Sequence, residues 1–195
     1  ELKKCLKDKK YINKFSQRYK GFNYIISSII SKNINKKIKV LDFGGGFCNG
    51  YLLLENTLDK KLMSKINYNI VDLASINSLS KKHFPKIKFH EKIPNQKFDL
   101  IITSSCIQYI EDWKGTINKL CKLDSKCLVF FDLFIGKISN FVTLQKYYNS
   151  LIPHWFLNEN NFINEVLQNN YSKTMIENTD FIRLDNLNNL DMGNF

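Results

Sequence analysis

Arginine is nearly missing from this chain of 195 residues, although the formal net charge is +11 at pH 7. It occurs only at Arg18 and Arg183, and the positive charge comes from lysines scattered through every segment. Since arginine is the better fork for phosphate groups, the pattern favours a compositional bias toward Lys, Asn and Ile over a dedicated nucleic-acid surface. A nucleic-acid-binding module remains open as an alternative on charge alone.

Signals of membrane, exported and metal-binding proteins are missing as well. No run of about 18 apolar residues occurs, so we expect no membrane span. The start, ELKKCLKDKK, is charged and lacks the apolar core of a signal peptide. Five cysteines and three histidines occur without a C-x-x-C pair, so we expect reduced thiols, a cytoplasmic location and no metal site. The chain does not begin with methionine, which is compatible with a trimmed chain.

The length predicts a single domain covering residues 1–195. Apolar residues recur at helical spacing between 11 and 32, so we expect residues 1–36 to be a helical segment that packs on a sheet. Strands and helices then alternate, which predicts an α/β fold with a Rossmann-like, mostly parallel sheet and helices on both faces. The oligomeric state is not readable from the sequence.

The individual elements are predicted from periodicity and turn residues. The predicted strands are 38–43, 68–72, 87–90, 98–104 and 127–131. The predicted helices are 49–58, 74–82, 113–123, 137–150 and 159–169. A proline-containing loop, which could form a lid, is predicted at 152–156, and late strands are predicted at 172–177 and 180–184.

The most informative segment is 40–51, VLDFGGGFCNGY. An apolar run ends in Asp42, the cluster Gly44, Gly45 and Gly46 follows, and a helix is predicted to begin near residue 49. Strand, glycine turn and helix open a nucleotide-binding βαβ unit. Glycine permits backbone angles that are closed to other residues and lets a ligand touch bare backbone.

The position of Asp42 selects the ligand. Dinucleotide sites bring backbone N–H groups and a helix N-terminus to a pyrophosphate. Asp42 stands two residues before Gly44, and a carboxylate there would repel that anion, which disfavours an NAD-type oxidoreductase. It suits a ligand with a cationic amino group and no phosphate, such as S-adenosyl-L-methionine. A glycine turn without a ligand is the plainer alternative.

Further polar residues fall at the carboxyl ends of the predicted strands, where ligands of such sheets bind. Asp72 could accept two hydrogen bonds from ribose hydroxyls, or it could cap the following helix. Leu73 is assigned to the cofactor beside it. Glu91 could accept from the adenine amino group, or it could be a solvated loop acid.

The segment after the fourth strand is predicted to line the ligand. Ser104, Ser105 and Cys106 would flank the methionine part of the cofactor, and Gln108 and Tyr109 would face the methyl acceptor. Ser and Gln are also ordinary turn residues, and that interpretation stays open.

Two residues are candidates for handling the acceptor's proton. Asp132 follows the fifth strand and could orient or deprotonate an acceptor, although it could also cap a helix. His154 titrates near neutral pH and suits general base work, although a lone histidine is often structural. Trp155 offers a flat apolar face that suits the C–H face of a sugar ring, as does Tyr109.

On these residues, the chain resembles a class I S-adenosylmethionine-dependent methyltransferase. More narrowly, it is similar to a family of bacterial proteins that are assigned as methyltransferases and often encoded with surface-polysaccharide biosynthesis genes. The matching pieces, in order, are VLDFGGG (40–46), IVD (70–72), FDLIITSSCIQYIEDW (98–113), FFD (130–132), FVTLQ (141–145) and PHWFLNE (153–159).

The resemblance implies that Asp42, Gly44 and Gly46 hold the methionine end of the cofactor and Asp72 its ribose. The sequence also departs from the family's pattern. Cys48 stands where the motif continues with glycine, and residues 133–135 replace a basic residue followed by Thr-Pro. The family gives no support to a catalytic histidine, and its seventh strand would begin where this chain ends.

The leading hypothesis is O-methylation of a sugar or related small metabolite in surface-polysaccharide biosynthesis, with a sugar, nucleotide sugar or similar compound as the partner. An RNA methyltransferase is the competing enzyme class, although no Asn-Pro-Pro-Tyr-like segment follows the fourth strand. An inactive cofactor-binding protein is compatible with the same motifs.

Overall fold

The chain forms two compact units. The computed structural model describes residues 21–32, 36–147, 149–173 and 176. Unit 1 comprises the described residues up to Ser104 together with Leu123–Phe131, and unit 2 comprises Ser105–Lys122 and the described residues from Asp132 onward. No helix in the described ranges is both long and apolar enough to cross a membrane.

Unit 1 alternates helices and strands. Its helices are α1 (Phe22–Lys32), α2 (Asn49–Thr57), α3 (Lys60–Met63) and α4 (Ala74–Lys81). Its strands are β1 (Ile38–Phe43), β2 (Ile66–Val71), β3 (Lys88–His90), β4 (Leu100–Ser104) and β5 (Cys127–Phe131). The two strands predicted at 38–43 and 127–131 have the predicted bounds. Those predicted at 87–90 and 98–104 begin one and two residues late, and the one predicted at 68–72 is shifted toward the N-terminus at both ends.

The five strands form one parallel sheet in the order β3-β2-β1-β4-β5. This is the strand order of a Rossmann-like sheet, in which the order of successive strands reverses at the switch point between β1 and β4. The predicted α/β fold class is therefore confirmed. Asp42 lies near the carboxyl end of the central strand β1, aligned with Ile70 on β2 and Ile102 on β4.

The core of unit 1 is built from the three middle strands of the sheet. A parallel strand is covered on both faces, so β1, β2 and β4 bury most of their residues. Helix α1 buries Phe22, Ile26 and Ile30, which recur every four residues along one face. Phe22 also meets the edge of the Phe131 ring at 5.9 Å between centroids.

Unit 2 combines short helices with a β-hairpin. It contains a 3₁₀ turn (Ile107–Tyr109), α5 (Trp113–Cys121), β6 (Ile135–Gly136), β7 (Phe141–Tyr147), β8 (Ser150–Asn158) and α6 (Glu159–Leu167). The strands β7 and β8 pair antiparallel, and β6 pairs with β8 in parallel. The aromatic rings of Trp113 and Phe162 stack at 6.0 Å, within the same unit.

Two element predictions in unit 2 are wrong. The predicted helix 137–150 is largely strand β7, and the predicted loop 152–156 lies inside strand β8. Exposure alternates along β7 from one residue to the next, which is the period of a half-buried strand. Seven cross-strand pairs, from Phe141↔Phe156 to Tyr147↔Ser150, hold the segment extended.

Some predictions fall where the structure gives no description. Residues 11–20 of the predicted N-terminal helix lie outside the described residues, and α1 covers the remainder from Phe22. Ser172 and Lys173 are irregular, whereas the other positions of the predicted late strands, apart from Ile176, lie outside the described residues.

We predict that the two faces of the hairpin differ in their contribution to stability. Phe156 is buried and stacks on Phe141 at 4.9 Å, so Phe156→Ala should lower the free energy of unfolding by about 3–5 kcal/mol. Val142 lies on the opposite face and is 46% exposed, so Val142→Ala should cost less than about 1 kcal/mol. Urea denaturation measures both; equal costs would contradict the assignment of the faces.

Candidate functional site

The turn after β1 has the backbone that the glycine cluster predicts. Gly44 and Gly46 have φ angles of 75° and 52°, in the left-handed region. The Gly44 N–H donates to the Val71 carbonyl at 2.8 Å, which ties the turn to the end of β2. Cys48, at the N-cap of α2, also has a positive φ of 65°, a conformation that glycine adopts at lower cost.

The Asp42 carboxyl lies directly beneath this turn. A Cβ at Gly45 would stand 2.9 Å from the Asp42 Cγ, so the close approach requires glycine. Asp42 is 1% exposed, and its Oδ2 accepts a hydrogen bond from the Tyr68 hydroxyl at 2.8 Å. Its Oδ1 is buried without a hydrogen-bond partner, an arrangement that calls for an explanation in a folded protein.

Burial raises the pKa of Asp42 to about 7. The hydrogen bond from Tyr68 opposes this shift by favouring the carboxylate, and the negative charge of Asp72 adds to it. Near neutral pH the carboxyl therefore exchanges between a neutral and a charged form.

The Asp72 carboxylate bridges the turn and its own strand end. Its Oδ2 accepts from the Gly46 N–H at 2.8 Å, and its Oδ1 accepts from the Leu73 N–H at 2.7 Å. Leu73, not Asp72, is the N-cap residue of α4, and that helix has no side-chain cap. Each carboxylate oxygen retains a lone pair for a further donor, as a ribose diol requires.

The ends of β2 and β3 are joined by a residue that the sequence analysis missed. The buried Asn77 donates from Nδ2 to the carbonyl oxygens of Asp72 and His90, at 3.0 and 2.9 Å. The Asp72 N–H also donates to the His90 carbonyl. No local pattern marks Asn77, since a polar residue in a helix of this composition is ordinary.

The other predicted cofactor residues of unit 1 lie at strand ends. Leu73 follows Asp72 at the start of α4 and is 71% exposed. Glu91 is exposed just after β3, and Ser104 is the last residue of β4. Together with Asp42, Gly44–Gly46 and Asp72, these residues could hold an adenosyl amino acid. The acids offer hydrogen-bond acceptors for its ammonium and hydroxyl groups, and Leu73 offers an apolar surface for its adenine.

Unit 2 holds the predicted acceptor residues. Ser105 and Asp132 directly follow β4 and β5 in the chain and both have positive φ, at 49° and 52°. The Ser105 hydroxyl donates to the Asp132 Oδ2. Gln108 is 1% exposed, and its Nε2 donates to the Asp132 carbonyl at 3.4 Å. Its Oε1 is buried without a hydrogen-bond partner.

His154 is enclosed by aromatic rings in the same unit. The centroids of Phe134, Tyr109 and Phe156 lie 4.7, 5.2 and 5.1 Å from its ring. The side chain is 0% exposed, and neither ring nitrogen has a hydrogen-bond partner on another residue. Burial lowers the pKa of His154 to about 4, against the opposing charge of Asp132. The imidazole is therefore neutral at physiological pH.

Trp155 does not lie with His154 and the aromatic rings around it. Trp155 pairs with Val142 and His154 with Thr143, so the two side chains point to opposite faces of the hairpin. Tyr109 is on the His154 side, where its hydroxyl donates to the Gln145 Oε1 at 2.8 Å. Cys106 is half-buried at the start of the 3₁₀ turn.

No metal centre accompanies either group of residues. Within the described ranges, no set of three or more His, Cys, Asp or Glu side chains could hold a metal ion.

Comparisons with known proteins identify the fold. No family model matches the sequence, and no curated protein matches it. Among solved structures, the N-terminal domain of EvdMO1 with S-adenosylhomocysteine bound matches with a TM-score of 0.51 and 6% identity, over 74% of this chain and 68% of that chain. A Listeria monocytogenes protein assigned as an S-adenosylmethionine-dependent methyltransferase matches with a TM-score of 0.50 and 13% identity, over 69% and 76%.

At these identities the likeness establishes the fold. The described chain has the Rossmann-like α/β fold that these two solved structures share. The resemblance read from the motifs is thus confirmed for the fold, and the roles of individual residues rest on the geometry given above.

We predict that Asp42→Asn stabilises the protein increasingly as the pH rises. The raised pKa means that the folded state prefers the neutral carboxyl, so the wild type loses stability between pH 3.8 and about 7. The gain of the variant over the wild type should grow by on the order of 1 kcal/mol for each pH unit in that window.

Urea denaturation of both proteins at pH 5 and pH 8 measures this gain. The quantity to compare is the difference in free energy of unfolding between Asp42→Asn and the wild type at each pH. The buried, neutral His154 makes the stability of both proteins rise with pH, and taking the difference removes that effect. Asp59→Asn, the same change at an exposed helix N-cap, is the matched control. A difference that stays constant from pH 5 to pH 8 would refute a buried, titrating Asp42.

Proposed function

We propose that the protein is an S-adenosylmethionine-dependent methyltransferase, working as a single domain. The observation that carries the proposal is the pair of acids on the glycine turn. Asp42 lies under Gly45 with one oxygen unpartnered, and Asp72 accepts from the Gly46 N–H. Both acids lie at the carboxyl ends of adjacent parallel strands, where ligands of this fold bind.

These residues suit separate parts of an adenosyl amino acid. The unpartnered oxygen of Asp42 would accept a hydrogen bond from the ammonium group, and Asp72 would accept from the ribose hydroxyls. The exposed Leu73 would cover one face of the adenine, and Glu91 would accept from its amino group. Ser104, at the end of β4, would flank the methionine chain. The bare backbone of Gly44 and Gly46 permits close approach.

The same features argue against a dinucleotide. A pyrophosphate at this turn would meet two carboxylates, and anions bind helix N-termini where N–H groups face them without competing negative charge. The Gly46 N–H is already used by Asp72. A net positive ligand is the better electrostatic match.

We further propose that the acceptor is a hydroxyl of a sugar or related small metabolite, in the cytoplasmic steps of surface-polysaccharide assembly. The pathway rests on the sequence resemblance. The chemistry is supported by unit 2, where Asp132 disfavours an anionic group, Gln108 has an unpartnered acceptor and Tyr109 presents a partly exposed ring.

The cofactor would supply an activated methyl group and its own leaving group. The chain must orient the acceptor hydroxyl and remove its proton. Asp132 is the better candidate for the proton because the Ser105 hydroxyl fixes its carboxylate and it is only partly buried. His154 would need the three surrounding rings to move before it could touch an acceptor.

We predict that S-adenosylhomocysteine binds and that NAD does not. Ligand at about 100 times its Kd should raise the free energy of unfolding by roughly 2.7 kcal/mol.

We also predict that Asp72→Ala weakens binding of S-adenosylhomocysteine by roughly 1–3 kcal/mol, since the ribose hydroxyls lose their partner. Isothermal titration calorimetry measures the affinities, and Asp59→Ala, which removes an exposed cap carboxylate in the same unit, should bind as the wild type does.

Other outcomes identify the alternatives. Binding of NAD without the adenosyl compound would overturn the proposal. Adenosyl binding without methyl transfer to any hydroxyl, amine or RNA acceptor would indicate an inactive cofactor-binding protein. Salt-dependent retention of RNA together with transfer to it would indicate an RNA methyltransferase.

We predict that the acceptor side depends more on Asp132 than on His154. Asp132→Asn should lower kcat by about 10²–10⁴-fold and leave the affinity for S-adenosylhomocysteine unchanged, as expected of a general base. His154→Leu, which keeps an apolar side chain among the rings, should retain kcat within about tenfold. The measurement is steady-state methyl transfer to the best acceptor found. The reverse order of the two effects would make His154 the base.

A further inference from the structure

Tyr68 is the side chain that holds the buried Asp42. It lies on β2, aligned with Val40 of β1, which is two residues before Asp42 on the same face of the sheet. Two residues along a strand span about 7 Å, a distance that a tyrosine side chain can bridge. The hydroxyl donates to the Asp42 Oδ2 at 2.8 Å, and the Tyr68 side chain is 1% exposed.

The Tyr68 ring is fixed by its neighbours. Tyr51 of α2 meets it edge-on at 5.4 Å between centroids, and Phe84 meets Tyr51 at 6.0 Å. With its ring fixed in this way, the hydroxyl holds one carboxylate oxygen of Asp42 in a defined orientation. The other oxygen, Oδ1, is left without a hydrogen-bond partner.

The surroundings of Asp42 supply negative and neutral groups. Asp72 raises its pKa through its charge, Tyr68 lowers it through the hydrogen bond, and no basic side chain of the described residues is among the groups that act on it. Tyr51 of helix α2, on which Glu55 and Cys48 act, packs on Tyr68, and β4 adds the apolar Ile102 next to Asp42 in register. Within the described residues no cation faces this carboxylate, and the ammonium group of a ligand would supply one.

We propose that Tyr68 is a positioning residue for cofactor binding, which orients Asp42 so that Oδ1 accepts a hydrogen bond from the ammonium group of the cofactor. Tyr68 thereby also sets the pH above which the site binds that ammonium group. This inference rests on the proposed function. A neutral carboxyl binds an ammonium group weakly, so affinity rises as Asp42 ionises. Without the Tyr68 hydroxyl, the carboxylate loses a hydrogen bond that favours it, and ionisation requires a higher pH.

The test is isothermal titration of S-adenosylhomocysteine from pH 5.5 to pH 8.5. Wild-type affinity should rise by up to tenfold per pH unit and level off near pH 7. Tyr68→Phe should move that midpoint upward by about one pH unit, which weakens binding about fivefold at pH 7 and about tenfold at pH 5.5. Tyr51→Phe, which removes a hydroxyl from the ring that packs on Tyr68, should keep the wild-type midpoint.

A second ligand separates this inference from the proposed function. 5′-Methylthioadenosine carries the adenosyl part without the amino acid, so its affinity should not vary with pH and should be equal in the wild type and Tyr68→Phe. If neither compound binds the wild type, the proposed function fails. If both bind but the midpoints of the wild type and Tyr68→Phe coincide, the inference about Tyr68 is overturned and the proposed function stands.

A double variant covers a loss of packing. In an Asp42→Asn background there is no carboxylate to orient, so adding Tyr68→Phe should change the affinity for S-adenosylhomocysteine less than about twofold. A further large drop would mean that the tyrosine acts through packing alone, and would overturn the inference.

Discussion

The Asp42 carboxyl is held under the glycine turn, and the geometry of the candidate cofactor site depends on that burial. Gly45 can lie on the carboxyl only because it has no side chain. With the turn in this position, the Gly46 N–H reaches Asp72 and the Gly44 N–H reaches the end of β2. A side chain at position 45 would lift the turn and separate the two acids that the proposed function uses together.

This arrangement has a thermodynamic cost that a ligand can relieve. An ionised carboxylate without a cation is unfavourable in an apolar core, and the buried apolar side chains of β1, β2 and β4 offset this cost. Among the described residues, buried polar side-chain atoms without a hydrogen-bond partner occur on Asp42, Asn77 and Ser80 in unit 1 and on Gln108 and His154 in unit 2. The proposed function uses Asp42 and Gln108, where a ligand would supply the missing partner.

The sheet was predictable because its signals are local. Strands β4 and β5 are apolar runs followed by polar residues, β1 and β2 end in apolar residues before an acid or a turn, and the glycine cluster after β1 defines its own turn. The hairpin of unit 2 was not predictable in the same way. Residues such as Thr143 and Gln145 become strand through pairing with His154 and Ile152 of β8, and partners outside the segment leave little trace in the periodicity of β7 itself. The proline of β8, Pro153, favoured a loop although it pairs with Leu144.

The candidate site shows the same division between local and non-local information. Asp42 and Asp72 were found because the ends of adjacent parallel strands meet at one edge. Tyr68 was missed because its role depends on register: only the alignment of Tyr68 with Val40 brings its hydroxyl to Asp42. A shift of one residue would turn that side chain to the other face of the sheet. Strand register, which the sequence of a single strand does not reveal, therefore decides which carboxylate oxygen a ligand can use.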